Sequence, residues 1–337
     1  MKNIPYNIVD TLLIPHGAFD EATTKIGQYF RAVQHGADPI VVPLVGESRT
    51  GKSSVLAYTE LCYPRRRLDD GMRVPVLRLK TPSKPTVKGL AEQFLLALGD
   101  PRFNQHESEI EKTNRLLKLL DTCGTRMVMI DEFQHFYDKG THKIMHHVSD
   151  WLKILSDESR LAMVVSGLPS CLAVLRQNEQ LAGRCMATLT MPRFAWEDDS
   201  QRDQFVSVLE AFQRGLSMFD MPRLDNEEMA FRFYIATGGL MGYLAKILRQ
   251  ATWNAIDADN PTIGLAELSK AYRSAVLARE VSAVTDPFLP AFESISSDIL
   301  MTQARAMGVA DPEQDDKPRR RRRMSKTELS ASDVLKA

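Results

Sequence analysis

Short runs of apolar residues alternate with longer amphipathic stretches through the first 190 residues of the chain. The runs carry few polar positions, as strands buried on both faces require. Five of them predict strands, over Ile40–Val45, Val74–Leu79, Met127–Ile130, Leu161–Val165 and Ala187–Met191. The stretches between them predict helices, over Lys52–Leu61, Thr86–Leu98, Ile110–Asp121, His142–Ser156 and Pro169–Arg176. This alternation is typical of an α/β fold in which helices cover a five-stranded parallel sheet.

The strand signals stop after Trp196. Asp225 and Glu228 have the spacing of a helix-capping pair. We therefore predict an N-terminal extension and helix over 1–35, an α/β domain over 36–196, and a smaller helical domain over 197–282. Its four amphipathic helices cover about 197–219, 226–237, 240–257 and 264–281.

Residues 283–337 form a predicted C-terminal extension whose character changes along its length. Beyond about residue 303 the hydrophobic periodicity is lost, and four acids lead into a basic run from Lys317 to Lys326. Such a composition predicts a disordered basic tail that orders on meeting a partner. Arg319–Arg323 suit either nucleic acid or an acidic protein surface, and the sequence leaves both open.

Charge and composition exclude a wholly disordered chain and a protein that holds DNA through its overall charge. The chain has 43 Lys and Arg against 43 Asp and Glu, and its 44% apolar content excludes wholesale disorder. Residues 317–326 contain seven basic residues and no acids, so the rest of the chain carries a formal charge of −7. An acidic body cannot hold DNA through its overall field, and any DNA contacts must therefore be local.

The remaining composition favours a reduced, cytoplasmic protein. No apolar run approaches the roughly 20 residues that cross a bilayer, and no secretory signal is recognisable, so we expect no membrane partner. The four cysteines are widely spaced, which favours free thiols over disulfides or zinc ligands. His142 and His146 share a predicted helix face but lack the H-E-x-x-H arrangement, so an exposed face is favoured over a zinc site.

A phosphate-binding motif lies between the first predicted strand and the first predicted helix of the α/β domain. Residues 46–53 read GESRTGKS and match G-x-x-x-x-G-K-[ST]. The glycines let backbone N–H groups surround phosphates at a helix N-terminus. Lys52 would bridge the terminal phosphates and the Ser53 hydroxyl would hold Mg²⁺. The candidate nucleotide-binding residues are Gly46, Glu47, Ser48, Arg49, Thr50, Gly51, Lys52, Ser53 and Ser54.

Two acids complete the predicted site. Asp131 and Glu132 follow the apolar run 127–130, where Asp131 is suited to hold the hydrated Mg²⁺ and Glu132 to act as the general base on water. No N-K-x-D guanine-reading tetrapeptide occurs in the chain, which favours ATP over GTP. Small-molecule kinases also carry a phosphate loop, but the acid pair and the helical domain favour a hydrolase that converts nucleotide state into conformation or assembly.

Four segments in this order resemble the AAA+ ATPases of the TniB/TnsC type, which regulate DNA transposition, including CRISPR-associated transposition. They are GESRTGKS at 46–53, CGTRMVMIDEF at 123–133, NEQLAGR at 178–184 and TGGLMGYLAKIL at 237–248. The resemblance implies an AAA+ core with a helical lid domain, and a ring or helical filament formed on double-stranded DNA. It also implies that the protein links a TniQ-like target selector to the transposase. Another kind of AAA+ ATPase, an initiator-like loader or a signalling NTPase that acts on proteins, is the alternative.

The resemblance further implies roles for single residues. Arg184 matches the arginine that one protomer extends into its neighbour's nucleotide site, although an arginine here could also cap the preceding helix. Ser166 lies where the family places a sensor of the γ-phosphate, but Gly167 and Leu168 depart from the family's Gly-Thr pattern. At the start of the lid helix, where many relatives carry a second sensor arginine, this chain has Gly242 and Tyr243.

Candidate DNA contacts come from a basic loop, 80–88, which is free of acids. The resemblance places a DNA-facing element near this loop, so we expect Lys84 and Lys88 to contact DNA phosphates, joined by Thr113 and Arg115. A solvated loop that happens to be basic is the alternative. A second basic cluster, Arg65–Arg67, precedes two aspartates that could neutralise it.

Overall fold

Five parallel strands form the central sheet of the computed structural model, which describes residues 4–69, 71–276, 286–293 and 297–308. The sheet order is β4-β5-β6-β1-β7. The predicted α/β fold, with helices flanking a five-stranded parallel sheet, is confirmed. The seven strands are β1 (Ile40–Gly46), β2 (Arg66–Leu68), β3 (Gly71–Arg73), β4 (Val76–Lys80), β5 (Met127–Asp131), β6 (Ala162–Gly167) and β7 (Leu189–Met191).

Helices cover both faces of this sheet. The strands are apolar at successive positions because neighbouring side chains enter different cores: Val41 packs with the layer of α4, α5 and α7, whereas Val42 packs with the layer of α2 and α3. The helices up to this point are α1 (Ile8–Thr11), α2 (Gly17–Gln34), α3 (Lys52–Cys62), α4 (Val87–Leu98), α5 (Glu109–Thr122), α6 (His135–Asp138), α7 (His142–Ser159), α8 (Cys171–Leu175) and α9 (Glu179–Ala182).

The strand boundaries differ from the predictions at both edges of the sheet. The predicted strand 74–79 begins at Val76, because Pro75 has no N–H to donate and its carbonyl accepts instead from Arg126 and Met127. The predicted strand 187–191 is shortened to β7. The hairpin of β2 and β3 was not predicted, since each strand has only three residues and lies exposed at the surface.

A third core holds the helical part together. It contains α10 (Asp199–Gly215), α11 (Glu227–Thr237), α12 (Met241–Asp257), α13 (Leu265–Ala275) and α14 (Asp298–Ala306). Ile8 and Val9 of α1 belong to this core, as do Phe288 and Phe292. Segments from both predicted extensions therefore pack with the helices of the lid.

Two predictions for this region are corrected. The N-cap of α11 is Asn226, whose side chain accepts from the Met229 N–H at 2.7 Å, while Asp225 pairs with Arg223 instead of capping. The hydrophobic periodicity predicted to end near residue 303 continues through α14 to Ala306. The predicted basic tail, with Arg319–Arg323, lies outside the described residues.

Residues 1–307 form one compact unit, so the predicted boundaries at 35, 196 and 282 stay predictions about its internal organisation. Among the helices the structure describes, none is long and apolar enough to cross a membrane.

Candidate nucleotide site

The phosphate loop joins β1 to α3, and two of its glycines are required by geometry. A Cβ on Gly46 would lie 2.2 Å from the Met191 carbonyl oxygen, so any side chain there would collide with the backbone at the end of β7. Gly51 has φ +97°, a conformation that favours glycine. The Thr50 hydroxyl donates to the Glu47 carbonyl at 2.9 Å and closes the loop. The loop therefore surrounds the N-terminus of α3, as the motif predicts.

The Lys52 ammonium lies against this loop. Its Nζ donates to the carbonyl oxygens of Gly46 at 2.9 Å and Glu47 at 2.6 Å. Burial lowers the pKa of Lys52, and the nearby charges of Asp131 and Glu132 oppose this shift in part. A lysine that has lost much of its hydration gains strongly from an anionic partner such as a phosphate.

Asp131 is the centre of a hydrogen-bonded cluster at the end of β5. Its side chain is only 2% exposed. The Ser53 hydroxyl donates to Asp131 Oδ2 at 2.7 Å, and the Ser166 hydroxyl donates to Oδ1 at 3.1 Å. The structure thus brings together all three residues that the sequence proposed for the metal and the γ-phosphate. Proteins bind Mg²⁺ through one or two hard oxygen ligands, and phosphate oxygens and water complete its coordination. The Asp131 carboxylate and the Ser53 hydroxyl are ligands of this kind, so they fit Mg²⁺.

Glu132 follows directly and lines the same cavity as Lys52 and Ser53. Its backbone has φ +57°, in the left-handed region. Gln134, which sequence analysis did not single out, donates to its carboxylate.

The cavity beside the phosphate loop has a volume of about 420 Å³. Two segments form much of its wall. One is the start of α12, with Met241 and Ala245, which belongs to the segment 237–248 singled out in the sequence. The other is the N-terminal stretch from Leu12 to His16, which sequence analysis missed and whose only signal was the apolar run Leu12–Ile14 ahead of α2.

A buried nitrogen in this wall also fits a nucleotide. Nδ1 of His16 has no hydrogen-bond partner among the described residues. Burial lowers the pKa of His16, so the ring is neutral near pH 7. A neutral imidazole beside Leu12 and Ile14 adds a polar group to a wall that also contains Asp10 and Arg249, and such a mixed wall suits a ligand with a flat polar base.

The phosphate loop contacts the lid directly at Arg49. The Gly242 N–H donates to the Arg49 carbonyl at 2.8 Å, and the Arg49 guanidinium lies 4.4 Å from the centre of the Tyr243 ring. A Cβ on Gly242 would lie 2.7 Å from Arg49 Cβ. In the sequence, Gly242 and Tyr243 stand at the position of the expected lid arginine. In the structure both of these residues contact Arg49 of the phosphate loop.

Arg193 makes a second connection between loop and lid, which sequence analysis also missed. Its Nε donates to both Glu47 carboxylate oxygens, at 3.0 and 3.1 Å. Its Nη atoms donate to carbonyls at the C-terminal ends of two lid helices: Gly238 after α11, and Ala304, Arg305 and Met307 at the end of α14. One guanidinium thus joins the phosphate loop to the C-terminal helix.

Arg184 lies far along the sheet from its own phosphate loop. Its carbonyl accepts from the Val41 N–H at the start of β1, whereas the loop begins at the other end of that strand. Its guanidinium pairs with Asp157 at 2.6 Å and donates to the Gln180 carbonyl of α9 at 3.0 Å. Within one protomer, Arg184 therefore caps α9, which was the alternative reading of the sequence.

The candidate DNA contacts divide into two pairs. Lys84 is exposed and Lys88 half-buried, both beside the loop after β4. Thr113 and Arg115 make bonds within the protein, and their contact with DNA stays a prediction. The Trp151 indole donates to the Thr113 hydroxyl at 2.9 Å. Arg115 forms ion pairs with two acids, at 2.9 and 2.6 Å.

Solved structures with the same fold come from archaeal ORC and Cdc6 proteins. The ADP form of the Aeropyrum pernix ORC2 protein aligns with a TM-score of 0.60 and 14% identity, over 88% of this chain and 82% of that chain. Cdc6p from Pyrobaculum aerophilum aligns with a TM-score of 0.59 and 13% identity, over 84% and 74%. The Aeropyrum pernix ORC1 protein in complex with DNA aligns with a TM-score of 0.54 and 14% identity, over 80% and 69%. At these identities the likeness shows the fold alone, which is that of AAA+ ATPases.

Sequence comparison assigns the family. Among functionally curated proteins, none shows significant similarity to the chain. The family model described as bacterial TniB protein matches residues 8–198, which is more than half of the chain. The match includes the N-terminal cavity wall, the phosphate loop, the acid pair and Arg184. The chain therefore belongs to the bacterial TniB family and is a P-loop ATPase with the AAA+ fold.

Proposed function

We propose that this ATPase regulates DNA transposition by assembling on double-stranded DNA, without strong sequence preference, and linking a TniQ-like target selector to the transposase. The observation that carries the proposal is the cluster of Lys52, Ser53 and Glu132 around one cavity whose walls include the lid, with Asp131 bonded to Ser53 behind it. Such a site can convert nucleotide state into a change of lid position. Membership of the TniB family supplies the link to transposition.

ATP is the proposed substrate. The backbone N–H groups of residues 46–54 and the Lys52 ammonium bind its phosphates. Glu132 takes the proton of the attacking water, while Ser166 lies close enough to Asp131 to contact the γ-phosphate. Ser53 and Asp131 would hold Mg²⁺, which supplies positive charge to the phosphate oxygens when it is bound.

The lid contacts supply a route from nucleotide to assembly. Arg49 and Glu47 belong to the phosphate loop, and each is bonded to the lid side, through Gly242 and Arg193. A change in the loop on nucleotide binding therefore acts directly on α12 and on the helix ends that Arg193 holds. In an assembly, we propose that Arg184 exchanges Asp157 for the phosphates of a neighbouring protomer, because its guanidinium fork suits charge developing on phosphoryl oxygens.

Three lysines form the proposed DNA surface. Lys84 and Lys88 flank the loop after β4, and Lys139 joins them because its Nζ donates to the Ser83 carbonyl at 3.3 Å. This loop is attached to the catalytic strand: the Thr81 N–H and hydroxyl donate to the Asp131 carbonyl at 2.9 and 3.0 Å. Lysines bind phosphates as point charges irrespective of sequence, and repetition in each subunit of an oligomer adds their contributions. One structural neighbour, the Aeropyrum pernix ORC1 protein, was solved in complex with DNA.

Electron microscopy tests the assembly. We expect rings or filaments when the protein meets double-stranded DNA and a non-hydrolysed ATP analogue, and none with Lys52→Ala, which removes the ammonium that binds the phosphates. Glu132→Gln should bind ATP, hydrolyse it slowly and keep the oligomers longer. Particles that stay monomeric under all of these conditions would contradict the proposal.

Binding assays test the DNA surface and the partners. Lys84→Glu with Lys88→Glu should weaken binding to duplexes of any sequence and reduce its salt dependence, whereas Arg214→Glu on the lid surface is a control of equal charge change per site. Co-purification with an integrase-like transposase and a TniQ-like protein, dependent on ATP, would distinguish a transposition regulator from an initiator-like loader. Capture of neither protein would favour the loader.

A further inference from the structure

The side chain of Gln134 lies between the general base and the end of a neighbouring strand. Gln134 is 7% exposed. Its Nε2 donates to Glu132 Oε2 at 2.5 Å, and its Oε1 accepts from the Leu168 N–H at 3.3 Å. A carboxylate can only accept and a backbone N–H can only donate, so these two partners fix which end of the amide faces which neighbour.

We propose that Gln134 is a positioning residue that holds the Glu132 carboxylate in the orientation required for ATP hydrolysis; this inference rests on the proposed role of Glu132 as the general base. A glutamate side chain has several freely rotating bonds, and proton transfer needs its carboxylate within hydrogen-bond reach of the water. A bond from a buried amide restricts that freedom before the substrate arrives.

The backbone around Glu132 is held by the same neighbouring strand. Glu132 has φ +57°, which is costly for a residue with a side chain and persists only where the surroundings hold it. The Phe133 N–H donates to the Ser166 carbonyl at 2.9 Å. The end of β6 thus fixes both acids: Ser166 through its bond to Asp131, and Leu168 through Gln134 to Glu132.

Gly167 leaves the space that Gln134 occupies. A Cβ at this position would lie 2.5 Å from Gln134 Oε1 and 3.2 Å from the Gln134 backbone nitrogen. This contact explains why a glycine follows Ser166, the residue at the expected sensor position: any side chain at residue 167 would collide with Gln134. It also supplies a second way to displace Gln134 without changing Gln134 itself.

The test compares ATP turnover with nucleotide binding. Gln134→Met keeps the length of the side chain but removes the amide, so kcat should fall about tenfold as positioning is lost. The affinity for a fluorescent ATP analogue and KM should stay within about twofold, since Gln134 lines the cavity but makes its side-chain hydrogen bonds to Glu132 and Leu168 and not to the phosphate loop. Gly167→Ala should reproduce the fall in kcat. In a Gln134→Ala background it should add much less, because only the approach to backbone nitrogens, at 3.2 and 3.3 Å, remains there.

A double-mutant cycle separates positioning from a merely structural role. In a Glu132→Gln background, Gln134→Met should leave the residual turnover unchanged, because the carboxylate on which it acts is already gone. A further fall of the same size would overturn the inference, and so would a kcat that is unchanged or raised in the Gln134→Met single variant. If Glu132→Gln itself turns over ATP at the wild-type rate, the proposed base is wrong and the inference falls with it.

Discussion

Arg193→Met tests whether the C-terminal helix is held by the same guanidinium that grips the phosphate loop. Methionine keeps an unbranched apolar side chain along the path of the arginine stem but removes all of the donors. The variant therefore separates the hydrogen bonds from the packing of the stem.

The magnitude follows from the partners. The ion pair with Glu47 contributes about 1 kcal/mol at most, because the Glu47 side chain is 49% exposed and water screens the pair. The bonds to the Arg305 and Met307 carbonyls, at 3.2 and 3.1 Å, contribute about 0.5 to 1 kcal/mol each. The two bonds at 3.4 Å, to Gly238 and Ala304, add little. Opening of α14 breaks only the bonds to its own carbonyl groups and leaves the pair with Glu47 intact, so Arg193→Met should make the release of α14 easier by about 1 to 2 kcal/mol.

Hydrogen–deuterium exchange of Asp298–Ala306 measures this release. If α14 opens locally, about 1 to 2 kcal/mol corresponds to amide exchange that is about five- to thirtyfold faster than in the wild type. Glu47→Gln should leave exchange within about twofold of the wild type, since the guanidinium keeps its bonds to the helix end. Arg214→Met is the matched control, because Arg214 is 71% exposed and lies 3.8 Å from its partner Glu210.

Exchange in α14 that stays within about threefold of the wild type after Arg193→Met would refute the reasoning. An equal acceleration over the whole protein would refute it as well, because it would indicate loss of global stability instead of release of one helix. A large effect of Arg214→Met would show that the exchange rates do not report the Arg193 contacts.

The following outcomes test the other structural assignments. Thr113→Val removes the acceptor of the Trp151 indole, so the free energy of unfolding, measured by urea denaturation, should fall by about 1 kcal/mol while the affinity for duplex DNA is unchanged. Weakened DNA binding at unaltered stability would instead support the predicted DNA contact. At pH 8 a thiol reagent should modify exposed Cys62 at once and Cys171 only on unfolding, because burial raises the pKa of Cys171 to about 12 and keeps it protonated; mass spectrometry showing equal rates would contradict this. Gly242→Ala should weaken ATP-analogue binding severalfold by pushing the lid from the phosphate loop, and an affinity equal to that of the wild type would show that the contact has no part in binding.

The sequence was most informative where one local pattern determines both structure and chemistry. Gly46 and Gly51 are required by the turn, and Lys52 and Ser53 follow within the same motif, so the loop could be placed without any long-range contact. Asp131 was predictable because the carboxyl ends of parallel strands lie at the same edge of a sheet. An acid at the end of one apolar strand therefore lies near the phosphate loop that follows another.

The parts that escaped prediction depend on contacts between distant segments. Arg193 lies 146 residues from Glu47 along the chain, and no spacing rule joins an arginine after a strand to the acid of a loop or to the end of α14. The sequence indicated only an N-terminal extension at Leu12 and His16, because the residues that line the cavity with them lie in α12, more than 200 residues along the chain. The internal bonds of Thr113 and Arg115 also escaped prediction, because side-chain type does not reveal whether a hydroxyl or guanidinium already has a partner inside the protein.

The packing of α1, Phe288, Phe292 and α14 into the core of the lid changes what counts as a separable part of this ATPase. A fragment that began at residue 36 would keep the sheet, the phosphate loop and both acids, yet it would lack Ile8 and Val9 from the lid core and Leu12 from the cavity wall. A fragment that stopped at residue 282 would lack α14 and, with it, the carbonyl groups of Arg305 and Met307 that Arg193 binds. The lid is therefore continuous in space but assembled from three stretches of sequence. A ligand or partner that displaced α1 or α14 would act on the wall around the nucleotide without touching the catalytic residues.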